Sequence, residues 1–342
     1  MMQVTLDEPG RFSRRDDAVL PTQPGPGEAV VRVRRIGVCG TDLHAFAGEQ
    51  PFFAYPRVLG HELGVEVTAV GDGVANVAVG DRCAVEPYLH CGACIACRRG
   101  RTNCCEHLKV LGVHVDGGMR THLVVPAEKL HRSDALTLDQ LALVETLGIG
   151  AHAVERGAPA ADDAALVIGA GPIGLTVIQF LRAAGCEPMV ADLSAHRLAF
   201  ARETLGVRRT VNAGADDLAA ALRDVNDGEL PTLVFDATGH PRSMMRTFEL
   251  AAHGGRIVFV GLFQGEVRFD DPNLHRRELT LLATRNATAA TFRYVMAQIE
   301  AEQVDTTPWI THRLALDEVV EKFAALREDG ALIKAVIEVG YE

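Results

Sequence analysis

The sequence of 342 residues lacks any apolar run close to the roughly 18–20 residues that are needed to cross a bilayer. Its first residues, Met1–Glu8, show no basic segment followed by an apolar stretch, which is the pattern of a secretory signal. Internal repeats and low-complexity tracts are also absent. We therefore expect a cytoplasmic protein without membrane association, and the length predicts two domains or one large domain with a lobe.

Positive charge is scarce. The chain has 34 lysines and arginines against 45 aspartates and glutamates, which gives a net charge of −11. Adjacent arginines occur only at scattered places and form no basic stripe. An acidic surface repels a phosphate backbone, so the composition predicts no nucleic-acid partner.

Cysteines are few but concentrated, since five of the eight lie between residues 91 and 105. In a long chain without a secretory signal, such a cluster is typical of metal ligands rather than disulfides. Cys91, Cys94, Cys97 and Cys105 offer four thiolates and no histidine, which predicts a closed, structural zinc site. Cys104 is an alternative fourth ligand that the spacing does not exclude.

Three stretches differ in their apolar pattern. Residues 1–147 are rich in valine, glycine and proline, with short alternating runs that predict a β-rich, barrel-like domain. Residues 148–287 alternate short apolar runs with helix-period segments, which predicts βαβ units and a parallel sheet. The predicted strands there are Leu166–Ile168, Met189–Ala191, Leu233–Phe235 and Ile257–Val260. Residues 288–342 contain two predicted helices and a final strand.

A glycine motif directly follows the first of these strands. Gly169 is placed for a tight turn, Gly171 for the approach of backbone N–H groups to a pyrophosphate, and Gly174 for close packing of helix on strand. Pro172 and Ile173 lie inside the motif, at the start of the predicted helix, whose N-terminus favours a phosphate. The motif predicts a dinucleotide-binding site.

Asp192 lies 23 residues after Gly169, where an acidic side chain binds the adenosine ribose. Its carboxylate accepts from ribose hydroxyls and repels a 2′-phosphate, so NAD is favoured over NADP, although Arg197 nearby offers a cation to that phosphate. Further residues follow predicted strands and are expected to contact the cofactor, or in the case of Arg285 the pyrophosphate or the substrate. These residues are Thr238, Val260, Gly261, Leu262 and Arg285.

A second set of candidate ligands is dispersed along the chain. Cys39, His61, Glu62 and Glu145 supply a thiolate, an imidazole and carboxylates, which together can form an open zinc site that accepts a substrate oxygen.

The Cys39–His44 segment, the Gly60–Glu62 segment, the cysteine cluster and the glycine motif occur in an order that resembles the zinc-dependent medium-chain dehydrogenases of the alcohol dehydrogenase superfamily. The resemblance spans essentially the whole chain. It implies an α/β fold, with a Rossmann doubly wound parallel sheet (148–287) and a GroES-like, β-rich catalytic domain. The catalytic domain would comprise residues 1–147 and 288–342, with the structural-zinc lobe at 88–112.

By this resemblance, each chain binds two zinc ions and NAD, and the chain forms a homodimer or homotetramer. Cys39 and His61 hold the catalytic zinc, and Glu62 and Glu145 compete for the remaining positions. Thr41 and His44 relay the proton, while Asp42 accepts a hydrogen bond from His61.

Glu145 stands where classical alcohol dehydrogenases carry a cysteine-type ligand, which resembles the polyol, threonine and sugar-acid branches. The segments 48–62, 100–106, 112–118 and 285–288 are similar to the L-galactonate 5-dehydrogenase-like enzymes. Residues 45–48 lack the tryptophans expected of a threonine dehydrogenase. The resemblance therefore implies oxidation of a sugar acid. The alternatives are another polyol or vicinal-alcohol dehydrogenase and a non-catalytic NAD-binding protein. Arg57 and Lys334 are candidate cations for the substrate carboxylate.

Overall fold

The computed structural model describes residues 1–50 and 53–340, and the chain divides into two compact units. The first comprises Met1–Thr146 and the segment from Ala287 onward, and the second is Leu147–Asn286. Both junctions lie one residue before the domain limits expected from the sequence. Residues 51 and 52 of the segment 48–62, and the last two residues of the predicted segment 288–342, lie outside the described part.

The described residues form seventeen strands and ten α-helices. The strands are β1 Gln3–Glu8, β2 Arg11–Arg15, β3 Glu28–Val38, β4 Glu62–Val70, β5 Arg82–Val85, β6 Tyr88–Leu89, β7 Lys109–Val110, β8 His122–Pro126, β9 Leu130–Arg132, β10 Ala165–Ile168, β11 Met189–Asp192, β12 Arg209–Asn212, β13 Leu233–Asp236, β14 Arg256–Phe259, β15 Thr280–Ala283, β16 Ile310–Ala315 and β17 Lys334–Glu338. The helices are α1 Gly40–Phe46, α2 Ile95–Arg98, α3 Leu138–Gly157, α4 Pro172–Ala183, α5 Ala195–Glu203, α6 Leu218–Asp224, α7 Pro241–Leu250, α8 Asp271–Arg276, α9 Ala289–Glu300 and α10 Val319–Glu328.

The first unit is built on a seven-stranded sheet. Its order is β16-β17-β3-β4-β5-β9, and β8 also pairs with β3. All neighbours are antiparallel except β16 and β17. The long strand β3 therefore lies between strands from both ends of the chain. Its buried apolar residues, such as Val31 and Ile36, pack in one core with Ile337 of β17.

An aromatic cluster fixes helix α1 on this unit. Phe46 of α1 stacks on Phe12 of β2 with a centroid distance of 5.5 Å, and both rings contact Phe323 of α10. Large buried rings contribute strongly to core stability and restrict the helix that carries them. The cluster therefore holds in place the helix whose first turn follows Cys39.

The second unit is a six-stranded parallel sheet with the order β12-β11-β10-β13-β14-β15. In chain order this is 3-2-1-4-5-6, which is the order of dinucleotide-binding sheets. Strands β10, β11 and β13 are buried along their whole length, as expected for a parallel sheet with helices on both faces. The predicted combination of a Rossmann sheet with a β-rich domain is confirmed.

The four strands predicted from apolar runs in the second unit correspond to β10, β11, β13 and β14. The sequence reasoning missed β12, whose only buried residue is Val211, and β15, whose short apolar run Leu281–Ala283 is not buried. Within residues 1–50 and 53–340, no helix has the length and hydropathy that a membrane span requires.

Candidate active site

Cys39, His61 and Glu62 lie together in the first unit, with one ligand atom of each within 4.8 Å of the others. Cys39 is the N-cap of α1, directly after β3, while Glu62 is the first residue of β4. Because β3 and β4 pair antiparallel with Gly37 opposite Glu62, the two segments meet at this end of the strands. Three of the four dispersed ligands predicted from the sequence are thus neighbours.

Two residues that the sequence reasoning did not assign to the metal site determine where the Glu62 carboxylate lies. A Cβ atom added at Gly37 would overlap Oε2 of Glu62, so only glycine leaves room for the carboxylate. On the other side, Nζ of Lys334 in β17 lies 2.5 Å from Oε1 of Glu62. Both members of this ion pair are buried, with side-chain exposures of 2% and 0%. Burial lowers the pKa of Lys334, but Glu62 and Cys39 outweigh it and the pKa is raised.

The donor set fits a zinc ion. Ligand atoms of Cys39, His61 and Glu62 lie within 4.8 Å of one another, and a thiolate, an imidazole and a carboxylate are the ligands that zinc prefers. Nδ1 of His61 is buried and has no hydrogen-bond partner within the described residues, whereas both carboxylate oxygens of Glu62 lie 2.5 Å from Nζ of Lys334. Three protein ligands leave a fourth tetrahedral position, which is the arrangement of a catalytic zinc site.

Asp42 supports this group from helix α1. Its Oδ2 accepts a hydrogen bond of 2.9 Å from the backbone N–H of Cys39, while its Oδ1 is 3.6 Å from Nδ1 of His61. The second distance is too long for the predicted hydrogen bond to His61. Burial raises the pKa of Asp42. Burial lowers the pKa of His61, but the charge of Asp42 and the contact with Cys39 raise it well above its ordinary value.

Glu145, the fourth predicted ligand, is not part of the metal group. It lies on α3, is buried, and its Oε1 accepts a hydrogen bond from the hydroxyl of Tyr88. Burial raises the pKa values of both Glu145 and Tyr88. The sequence offered no signal for Tyr88, which is a single tyrosine just before the cysteine cluster.

The predicted relay residues Thr41 and His44 are three positions apart on α1 and therefore share a face of the helix. Their role in proton transfer stays a prediction. Both candidate cations for a substrate carboxylate already have a carboxylate partner within the described residues. Lys334 is paired with Glu62, and the Arg57 guanidinium is 3.2 Å from Asp116. The signal for Lys334 was present in the sequence, since this lysine directly precedes the apolar residues 335–337 of β17.

The cysteine cluster forms a second metal group. The sulfur atoms of Cys91, Cys94, Cys97 and Cys105 all lie within 4.8 Å of one another, whereas Cys104 is exposed and does not belong to the group. Backbone N–H groups of Cys91 and His107 donate to Sγ of Cys105 at 3.3 Å, as expected around a thiolate. Four thiolates fit a structural zinc ion. Of the two candidates for the fourth ligand, the structure places Cys105, and not Cys104, with the other three cysteines.

The glycine motif lies in the second unit, between β10 and α4. Gly169 has a φ of +95°, which favours glycine, and Gly171 is the N-cap of α4. A cavity of about 710 Å³ opens beside the motif. Five of the predicted cofactor residues line it: Gly169, Gly171, Asp192, Arg197 and Thr238.

The other predicted cofactor residues do not line this cavity. Pro172 and Ile173 begin α4, while Gly174 packs under the turn. Val260 and Gly261 donate their N–H groups to the carbonyl of Asp236, whose carboxylate holds Thr238. Leu262 is exposed beside Gly239, and Arg285 is exposed after β15.

The carboxylate of Asp192 is oriented by the backbone. Its Oδ2 accepts from the N–H of Ala170 at 2.6 Å, and its Oδ1 accepts from the N–H of Ser194 at 2.7 Å. Asp192 therefore ties the end of β11 to the glycine turn and presents a negative charge in the wall of the cavity. This is the placement that binds ribose hydroxyls in NAD-binding sheets.

A Gly174→Ala substitution is expected to weaken NAD binding by about 5- to 150-fold, because the added Cβ overlaps the carbonyl oxygen of Gly169 and displaces the turn. The range corresponds to the roughly 1–3 kcal/mol of an overpacked site. Calorimetric titration with NADH measures the effect. The matched control is Gly330→Ala, where an added Cβ meets nothing within 4 Å. Equal affinities for NADH in the two variants would contradict the role of Gly174.

A three-residue metal group in one unit and a dinucleotide turn in the other are together typical of a zinc-dependent dehydrogenase. Comparisons with known proteins agree with this class. Residues 25–135 match the alcohol dehydrogenase GroES-like domain, and residues 172–301 match the zinc-binding dehydrogenase family. The chain belongs to this family of zinc-binding alcohol dehydrogenases.

Several relatives are similar over nearly their whole length. L-galactonate-5-dehydrogenase of Escherichia coli K12 is 41% identical over 92% of each chain. The 2-dehydro-3-deoxy-L-galactonate 5-dehydrogenase of Pseudoalteromonas atlantica is 32% identical, over 93% of this chain and 94% of that protein. Among solved structures, the alcohol dehydrogenase RspB from Escherichia coli CFT073, complexed with NADH, is 32% identical and covers 99% of both chains with a TM-score of 0.91.

Proposed function

We propose that this protein oxidises a secondary hydroxyl group of a sugar acid to the ketone, with NAD as the hydride acceptor. The observation that supports this most is the group of Cys39, His61 and Glu62, whose thiolate, imidazole and carboxylate lie within 4.8 Å of one another and suit a catalytic zinc ion. The similarity to two enzymes named for galactonate substrates supports a hexonate as the substrate class. The retained metal group argues against a non-catalytic NAD-binding protein.

When bound, zinc supplies a Lewis acid that makes the reacting hydroxyl group more acidic. Overall, the substrate loses a hydride from its carbinol carbon and a proton from its hydroxyl group, and the products are the ketone, NADH and a released proton. Thr41 accepts this proton at its hydroxyl oxygen while its own hydroxyl proton moves on to His44, and His44 releases a proton to solvent. His44 suits this step because it is exposed and lies on the same face of α1 as Thr41.

The cofactor and the assembly complete the proposal. Asp192 in the cavity wall favours NAD over NADP, and the two metal groups give two zinc ions per chain. A cytoplasmic location stays a prediction, as does a homodimer or homotetramer. An assembly is supported by β15, an edge strand of the parallel sheet that exposes three of its four residues and offers its backbone to a second copy.

The test is a rate screen of the zinc-loaded protein against hexonates, polyols and L-threonine, with NAD and with NADP, by the absorbance of the reduced cofactor. We expect a hexonate with NAD to give a kcat/KM at least about tenfold above that of sorbitol, which corresponds to about 1.36 kcal/mol of transition-state binding. A higher value for a polyol would favour the polyol dehydrogenase alternative. Two bound zinc ions without turnover of any alcohol would contradict the proposal.

A further inference from the structure

Tyr88 and Glu145 form a buried pair beside the catalytic metal group. The hydroxyl of Tyr88, on β6, donates to Oε1 of Glu145, on α3, and the two residues are 57 positions apart in the chain. Their exposures are 2% and 5%. In the described ranges no second donor reaches Glu145, so its Oε2 accepts no hydrogen bond from the protein.

The direction of the phenol group is fixed by aromatic packing. The Tyr88 ring lies edge-on to Phe292, with centroids 6.2 Å apart and an interplanar angle of 87°. Phe292 in turn stacks on His131 at 5.1 Å, and Nε2 of His131 lies 3.1 Å from Glu86. A ring held in this way cannot turn its hydroxyl elsewhere, and a buried tyrosine hydroxyl usually has one dedicated partner.

Building on the proposed function, we propose that Tyr88 is a positioning residue: it occupies Oε1 of Glu145, keeps this carboxylate out of the metal coordination and leaves Oε2 to accept a substrate hydroxyl. Glu145 is absent from the group that Cys39, His61 and Glu62 form, although the charges of His61 and Glu145 interact. A sugar acid carries hydroxyl groups next to the reacting one, and these are the donors that an unpaired carboxylate oxygen recognises.

Two substitutions separate this role from simple packing. Tyr88→Phe keeps the ring on Phe292 but frees Oε1, so Glu145 becomes able to join the metal. With Co²⁺ in the catalytic site, the visible absorption spectrum depends on the ligand number, and we expect Tyr88→Phe to change it in the absence of substrate. We also expect kcat to fall by about 10- to 100-fold, the usual effect of losing a residue that orients a metal-site group. Glu145→Gln alone is expected to leave the Co²⁺ spectrum as in the wild type.

In the double variant, Tyr88→Phe should have no further effect on kcat once Glu145 is replaced by glutamine, because the tyrosine acts through that carboxylate. Tyr55→Phe is the matched control, since the Tyr55 hydroxyl donates to the carbonyl of Ala45 at 2.5 Å, and it should change neither spectrum nor rate.

An unchanged Co²⁺ spectrum in a folded Tyr88→Phe protein would overturn the proposal. So would additive losses of kcat in the double variant. If Tyr88→Phe does not fold, the Co²⁺ spectrum of Glu145→Gln still tests the proposal. A spectrum that differs from that of the wild type would show that Glu145 is a metal ligand in the wild type, and this would overturn the proposal. The Co²⁺ measurement uses no substrate. A protein that shows the expected spectra but oxidises no sugar acid would therefore contradict the proposed function and leave the role of Tyr88 intact.

Discussion

A Cys39→Ser variant is expected to bind one zinc ion per chain instead of two and to lose at least about 1,000-fold in kcat. Cys39 supplies the soft thiolate of the catalytic group, and a serine hydroxyl stays protonated and binds zinc weakly. The Lewis acidity of a bound metal contributes several kcal/mol to such a reaction, and each 1.36 kcal/mol corresponds to a tenfold change in rate. NAD affinity should be unchanged because the glycine turn lies in the other unit.

Two further cysteine variants serve as controls for the metal count. Cys104→Ser should retain both zinc ions and full activity, because Cys104 is exposed and belongs to neither metal group. Cys105→Ser should lose the structural zinc only. Zinc is measured by mass spectrometry, NADH binding by calorimetry and turnover by absorbance. Full activity in the Cys39→Ser variant would refute the assignment of the catalytic metal.

A Lys334→Met substitution is expected to lower the free energy of unfolding of the first unit by about 3–5 kcal/mol, which is typical when one partner of a buried ion pair is removed. The substitution keeps the length of the side chain but leaves the Glu62 carboxylate without its ammonium partner. Trp309, the only tryptophan of the sequence, is fully buried in the first unit and reports the unfolding of that unit in denaturant titrations.

Lys322→Met provides a control with the same chemistry. Lys322 also lies 2.5 Å from a glutamate, Glu318, but this pair is exposed by 55% and 39%. An exposed pair is screened by water, so we expect no measurable change in the same titration. If the two variants lost equal stability, burial of the Lys334–Glu62 pair would not be the cause.

Much of the fold was predictable because the relevant information is local. The glycine motif directly follows an apolar run, and the four cysteines of the lobe lie within fifteen residues, so their spacing alone indicates one metal. Periodicity detects only elements that bury apolar residues. It therefore identified β10 and missed β12, which has a single buried residue.

The contacts that shape the catalytic group were not predictable in this way. Glu62 and Lys334 are 272 positions apart, and they meet because β17 pairs with β3, which in turn pairs with β4. Likewise, nothing near Glu145 in the sequence indicates that Tyr88 binds it. The sequence left Glu62 and Glu145 as equal candidates, and their different partners, a lysine and a tyrosine, distinguish them only in the folded chain.

The split of the first unit also affects how the protein is made. The second unit is continuous, and all of its strands have been synthesised before the last sixty or so residues are translated. Lys334 is synthesised 272 residues after Glu62. At a translation rate of about 5–20 residues per second, roughly 14–54 s separate the synthesis of Glu62 from that of Lys334. During translation, the dinucleotide sheet is complete well before the metal group acquires the strand that neutralises its glutamate.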